Sequence, residues 1–341
     1  MIYSYSNISH SVTNAQSFTN YIVLEILCKA NKPGMPANFD ENTVIDKYIP
    51  LVRDVNPKYI IDPINGAYQI CKILKKDELK IIKKAIHHNT NIKGICEGKV
   101  IPILYSQIKS INEKLANFLY IFCKNLYTEV MKLKPFTDLY GTLKEHYTQF
   151  SISNGLKNKR CPFCGVSRML NEFNSKKEAY DHYFPKEQYP FSSTHFLNLA
   201  PMCHTCNSSY KSRKNPINIK NSGKNKKIFF PFKIYGKITF TVNFNRLDLD
   251  NLTPNDIDIN NTLQGFNEEI ESWEEIFGIK ERYRGIYAGD SFTWFEEARI
   301  ATSNFGESYV NHKSNLNDNY FNNENFLKVA FFDEGERLGL I

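Results

Sequence analysis

Four cysteines in the middle of the 341-residue chain form two CxxC pairs, Cys161 with Cys164 and Cys203 with Cys206. Each short turn can direct two thiolates at one ion, and four thiolates are a ligand set typical of structural zinc. The pairs are separated by 38 residues, which is enough chain to enclose a small structural element. The spacing therefore predicts a structural Zn²⁺ site built from these four residues.

A second group of polar residues lies between and directly after these pairs. Asp181 and His182 are adjacent on a segment with a strand-like sequence, so their side chains should point to opposite faces. The carboxylate of Asp181 and the amide oxygen of Asn207 are hard ligands suited to Mg²⁺ or Mn²⁺. An unperturbed histidine can take a proton from water near neutral pH. Lys211 follows Asn207 by one helical turn, where it is expected to meet a phosphate.

These residues stand in a specific order of short motifs: Cys161-Pro-Phe-Cys164, Asp181-His182-Tyr-Phe-Pro185, Asn198-Leu199-Ala-Pro201 and Cys203-His-Thr-Cys206-Asn207-Ser-Ser-Tyr-Lys211. Together they resemble the zinc-stapled HNH endonucleases, which have the ββα-metal fold and cut phosphodiesters with one divalent ion. The resemblance covers roughly residues 160–215.

The resemblance implies a role for each matching position. His182 would be the general base, and Asp181 and Asn207 would hold the catalytic Mg²⁺ or Mn²⁺. Asn198 matches the middle asparagine, which in the family braces the loop carrying the histidine. The last motif position is Asn207 rather than a histidine, a variation that the family permits. The cysteines match the structural zinc ligands, which take no part in the reaction.

Positive charge is concentrated around these motifs. Residues 151–228 carry 14 Lys and Arg against 4 Asp and Glu, whereas residues 229–341 carry 10 against 19. Such a patch attracts polyanions, and a solvated lysine-rich face is the alternative. We take Lys211, Arg213 and Lys214 as the candidate nucleic-acid contacts.

The composition and the periodicity of apolar residues predict an α+β protein in three parts. These are a mainly helical region (1–150), the zinc-containing nuclease module with a basic linker (151–228) and an acidic mixed region of strands and helices (229–341). Helical spacing is present over 15–29, 66–88 and 105–133, with Pro135 expected to end the last of these helices. Strands are expected at Tyr180–Phe184, 228–232 and 237–244, and a helix at about 265–283.

Several residues near the motifs have a simpler interpretation. Four cysteines outside the pairs are expected to be buried free thiols: Cys28, Cys71, Cys96 and Cys123. Four aromatic side chains could stack on unpaired bases, although packing of the zinc module is the favoured interpretation: Tyr180, Tyr183, Tyr189 and Phe191. His195 is left out of the predicted site because a single histidine there is more often a loop residue.

The prediction that follows is a metal-dependent endonuclease acting on DNA. Two alternatives stay open: a zinc-ribbon module that binds nucleic acid or a partner without cutting, and a nuclease that acts on RNA. The resemblance extends to effector nucleases of bacterial restriction and anti-phage defence, some of which work beside a separate ATPase. The chain has no Gly-x-x-x-x-Gly-Lys-Ser/Thr loop, so a nucleotide switch would need such a partner. The sequence has neither a membrane-spanning stretch nor a signal-peptide pattern, which predicts a cytoplasmic protein.

Overall fold

The computed structural model describes residues 1–156, 159–170, 173–175, 180–217, 226–305 and 308–340. The fold is α+β, as predicted, with helices predominating. The first part of the chain is helical: α1 (Gln16–Tyr21), α2 (Ile49–Arg53), α3 (Ile61–Ile73), α4 (Lys76–Asn89), α5 (Ile92–Cys96), α6 (Tyr105–Ile111), α7 (Glu113–Thr128), α8 (Lys134–Tyr140) and α9 (Leu143–Ser153).

The central segment contains a short antiparallel strand pair followed by a helix. Strand β1 (Tyr180–His182) pairs with β2 (Leu199–Pro201), and Asp181 lies opposite Ala200. The helix that follows, Thr205–Lys211, has π-helical geometry and is called the 205–211 helix below. Strand β1 and this helix contain residues that the sequence assigned to the candidate site, and Asn198 directly precedes β2.

The C-terminal part pairs a two-stranded sheet with helices. Strands β3 (Thr239–Phe244) and β4 (Ile257–Thr262) are antiparallel, and alternate residues of each are buried. The alternation arises because side chains of a strand point to opposite faces, and one face of this sheet packs inward. The helices of this part are α10 (Asn267–Phe277), α11 (Ile279–Phe305), α12 (Tyr309–Asp318) and α13 (Asn325–Leu338).

Two hydrophobic cores hold the molecule together, and the central segment contributes to both. The core of the N-terminal helices includes Tyr180 and Leu199 from the strand pair. The other core joins the four paired cysteines, Tyr183 and Ala200 to the C-terminal sheet and helices. The strand pair therefore contributes buried side chains to both cores and packs between them.

Three local predictions are wrong in detail. Pro135 was expected to end a helix, but α7 already ends at Thr128 and Pro135 occupies the second position of α8. A proline is tolerated there because its missing amide hydrogen would have no helical partner. Residues 228–232 do not form a strand. The expected helix over 265–283 is interrupted at Gly278, whose φ of 59° is left-handed and which a Tyr210 ring approaches closely.

Three of the four residues predicted to be buried thiols are buried, namely Cys71, Cys96 and Cys123, whereas Cys28 is only partly buried. The basic linker predicted at 211–227 is only partly within the described residues, because positions 218–225 lie outside them. Among the described residues, no helix combines the length and the apolar character that crossing a bilayer requires.

A pair of glycine substitutions tests the packing between the first CxxC turn and the C-terminal helices. Gly165 has a φ of 73°, and a Cβ there would lie 2.7 Å from the Phe326 ring. Gly165→Ala should lower the free energy of unfolding by about 1–3 kcal/mol, through backbone strain and overpacking. Gly285→Ala, inside α11 with open space around it, should raise it by about 0.4–1 kcal/mol. Urea denaturation of both variants with bound zinc measures the two effects, and effects of the same sign would contradict this packing.

Candidate active site and metal centre

The four paired cysteines converge on one small buried volume. Their sulfurs all lie within 4.8 Å of one another, and the Cys161–Cys206 and Cys164–Cys203 sulfur pairs are each 3.9 Å apart. Tetrahedral zinc with Zn–S bonds of about 2.3 Å requires sulfurs about 3.8 Å apart. The donor set and its spacing therefore fit a structural zinc ion, as the sequence predicted.

Backbone hydrogen bonds shape both turns that present the sulfurs. The Cys161 amide donates to the carbonyl of Ser167, and the Gly165 amide donates to the carbonyl of Cys161, each at 2.7 Å. In the second turn, the amide of Cys206 lies 3.4 Å from the sulfur of Cys203. These bonds bend the chain so that both sulfurs of each pair face the same point.

The C-terminal part of the chain covers this centre. A guanidinium nitrogen (Nη1) of Arg282 lies 3.2 Å from the Cys206 sulfur, and the same guanidinium stacks over the Tyr210 ring at 5.0 Å. The Tyr283 hydroxyl donates to the carbonyl of Cys164 at 2.8 Å. Burial lowers the pKa of Arg282, but the thiolate charges of Cys164 and Cys206 outweigh it and raise that pKa above its usual value. Arg282 thus supplies positive charge directly beside the sulfurs.

His182 lies at the end of β1 and is held in one orientation. Its Nε2 lies 2.8 Å from the carbonyl oxygen of Ser193. Because a carbonyl can only accept, Nε2 carries the proton and Nδ1 carries the lone pair. Burial is the main reason that the pKa of His182 falls to about 3, and the charge of Lys186 lowers it further. The imidazole is therefore neutral at pH 7, with its lone pair at Nδ1.

Two further residues fix the surroundings of this histidine. The ring of Tyr127, from α7, meets the His182 ring edge-on with centroids 4.4 Å apart. Asn198 accepts from the amide of Phe184 at 2.8 Å and donates to the carbonyls of Phe184 and Ser192, at 3.1 and 3.3 Å. It thereby ties the chain after β1 to the loop whose Ser193 carbonyl orients His182.

Asp181 points to the opposite side of the strand pair from His182 and meets a lysine. The ammonium of Lys211 lies 2.7 Å from Asp181 Oδ2, and the Lys211 residue is only 1% exposed. Burial raises the pKa of Asp181, and the charge of Lys211 acts in the opposite direction. The prediction that Lys211 is an exposed phosphate contact is therefore wrong, because its charge is engaged by Asp181 inside the protein.

The same ion pair bears on the predicted Mg²⁺ or Mn²⁺ site. Asn207 is half buried and lies one turn before Lys211 in the 205–211 helix, so it is on an element adjacent to Asp181. The oxygens of these two residues are of the type a hard cation prefers. One of the Asp181 oxygens is, however, bound by the Lys211 ammonium. Among the described residues, the cysteine cluster is the one group of three or more His, Cys, Asp or Glu side chains close enough to hold a metal.

Three basic side chains lie near these residues, two of them exposed and one, Lys186, half buried. Arg213 and Lys214, as predicted from the sequence, are exposed directly after the 205–211 helix. Lys186 was missed: it lies 5.8 Å over the Tyr127 ring and its charge acts on both His182 and Asp181. Its position four residues after His182, within the basic segment, was a signal that could have identified it.

The remaining residues considered from the sequence behave as packing or surface groups. Four aromatic side chains are buried in the two cores rather than free to stack on bases: Tyr180, Tyr183, Tyr189 and Phe191. His195 is half buried, with a pKa lowered to about 4 by burial, and His204 is exposed beside the cysteine cluster.

Comparison with known proteins gives no relative: no family model, no curated protein and no solved structure matches the chain. The resemblance of residues 160–215 to HNH endonucleases stays a prediction from the motifs.

A substitution at Arg282 tests its contact with the cysteine cluster. Arg282→Met removes the guanidinium that donates to Cys206 and leaves the thiolate charge less compensated, so zinc affinity should fall by about 10–100-fold. Competition with a chromogenic zinc chelator measures this. Arg284→Met is the matched control, since Arg284 lies on the same helix and donates to the carbonyl of Ile257 instead. Equal zinc affinity in the two variants would show that the Arg282 contact does not support the cluster.

Proposed function

We propose that this protein is a metal-dependent endonuclease of the HNH type that hydrolyses DNA phosphodiester bonds. The observation that carries the proposal is the state of His182. It is a buried, neutral imidazole at the end of a strand, with Nε2 committed to the Ser193 carbonyl and Nδ1 left to act as base. The Ser193 carbonyl that accepts from Nε2 lies in the loop that Asn198 braces, so the orientation of the imidazole is set by the surrounding backbone.

The surrounding architecture supports the same proposal. Two short antiparallel strands followed by a helix, with one cysteine turn before the strands and the other at the start of the helix, correspond to the order of elements in the ββα-metal fold. Arg213, Lys214 and Lys186 provide positive charge that a phosphate backbone would attract. The cysteine centre lies in the core with the C-terminal helices, where its role is structural.

In the proposed reaction His182 removes a proton from water through Nδ1. The water oxygen forms a bond to phosphorus while the bond from phosphorus to the leaving oxygen breaks. The Ser193 carbonyl, which accepts from Nε2, stabilises the imidazolium that forms. A divalent cation bound by Asp181 and Asn207 would offset the negative charge that develops on the phosphate oxygens.

One observation favours the alternative of a zinc module that binds without cutting. The Lys211 ammonium already contacts the Asp181 carboxylate that a catalytic cation would bind. In that case the exposed basic residues would still bind nucleic acid, and no covalent change would follow. RNA as the substrate is a variant of the leading proposal, since the site addresses phosphate rather than sugar.

Replacement of His182 tests the proposed activity. His182→Ala and His182→Asn should reduce cleavage of a plasmid in Mg²⁺ or Mn²⁺ by at least about 100-fold, since the general base is lost. The asparagine variant retains a polar side chain in case alanine prevents folding, and zinc content and circular dichroism check both variants. His87→Ala, at an exposed histidine of α4, is the matched control and should cut like the wild type.

The same assay separates the alternatives. A single-stranded RNA run in parallel identifies the substrate. Cutting of either nucleic acid that persists in both His182 variants would contradict the assignment of the base. Binding of nucleic acid by the wild type without cutting, at any concentration of divalent ion, would favour the non-catalytic alternative. A restriction or phage-defence role with a separate ATPase as partner stays part of the proposal, and cutting that appears only when that partner is added would support it.

A further inference from the structure

The ion pair between Lys211 and Asp181 is unusual in its burial. Lysine is almost never fully buried unless it is paired, and here the Lys211 side chain is 1% exposed and that of Asp181 is 14% exposed. Removing two charges from water costs free energy that only close, well-placed contact can offset. The burial of this pair therefore lowers the free energy of unfolding unless its close contact offsets the cost of removing both charges from water.

The position of the ammonium is the second observation. It lies 2.7 Å from Asp181 Oδ2, at the carboxylate that the proposed function assigns to a divalent cation. An ammonium and a divalent ion cannot occupy the same side of one carboxylate oxygen, because both need direct contact and they repel each other.

The backbone at the end of the 205–211 helix is held by its own hydrogen bond rather than by the Lys211 side chain. Lys211 is the last residue of that helix, and Ser212 directly after it has a left-handed φ of 46°. The Ser212 amide donates to the Asn207 carbonyl at 2.7 Å. This bond holds the backbone between Asn207 and Ser212 and does not involve the Lys211 side chain. The four-carbon stem of lysine can then rotate and carry the charge elsewhere.

We propose that Lys211 is a resident cation of the candidate metal site, which neutralises Asp181 in the metal-free protein and must be displaced when a divalent cation binds. The inference rests on the proposed function only for the assignment of Asp181 as a metal ligand. It deepens that proposal, since it predicts weak divalent-ion binding by the protein alone, limited by a competing side chain.

The test measures Mn²⁺ binding to the full-length, zinc-loaded protein without nucleic acid, from the electron paramagnetic resonance signal of free Mn²⁺. Lys211→Met should bind Mn²⁺ about tenfold or more tightly than the wild type, because the competing charge is gone. Adding Asp181→Asn to Lys211→Met should abolish the gain. Lys186→Met is the matched control: Lys186 lies close enough to act on Asp181 electrostatically but pairs with Glu187, so its removal should change Mn²⁺ affinity much less.

The outcomes distinguish this inference from the proposed function. Equal Mn²⁺ affinity in the wild type and Lys211→Met, or the same gain in Lys186→Met, would overturn it. If Lys211→Met does not fold, as judged by circular dichroism and zinc content, Lys211→Gln replaces it, with the same gain expected and the same equality overturning the inference. Tighter Mn²⁺ binding by Lys211→Met without any cleavage of nucleic acid would support the inference and contradict the proposed nuclease activity. Cleavage that depends on His182, with the same Mn²⁺ affinity in Lys211→Met and the wild type, would support the nuclease activity and contradict the inference.

Discussion

The central segment depends on placing four thiolates in one buried volume. Sulfurs within 4.8 Å of one another repel strongly when they carry negative charge away from water. Four thiolates at this spacing would need positive charge among them, which a metal ion that fits the cluster would supply, and Arg282 contributes part of the positive charge from the C-terminal side. Because the cysteine turns lie on either side of the strand pair and Cys206 lies within the 205–211 helix, the cluster also sets where His182 and Lys211 can meet their partners.

Burial acts in opposite ways on the two adjacent residues of β1. For His182, loss of water favours the neutral imidazole, which is the form that a general base requires. For Asp181, the same loss of water disfavours the carboxylate that a metal ligand requires. The dry environment that keeps the histidine available therefore obliges Asp181 to have a cation beside it, and Lys211 provides that cation within the chain.

The parts of the site that sequence could predict are those encoded by local spacing. Two CxxC turns specify their own geometry, and alternation along a strand places Asp181 and His182 on opposite faces, so both features were predictable. Tyr127 and Arg282 act through contacts between segments far apart in the chain; Arg282, for example, lies 76 residues from Cys206, and no short motif encodes such contacts. The error at Lys211 is of the same kind. Helical spacing placed it on the face of Asn207, but the docking of that face against β1 decided that its charge would be buried.

The identity of the side chain at position 211 is informative about the site. An arginine would bind a carboxylate through two parallel hydrogen bonds in a fixed plane, whereas lysine offers a single point charge on a flexible stem. The lysine contact therefore neutralises Asp181 through a point charge at Oδ2. A pair selected only to stabilise the fold would gain from the stronger, two-point contact. The one-point contact suits a carboxylate that must exchange one cation for another, as the proposed metal site requires.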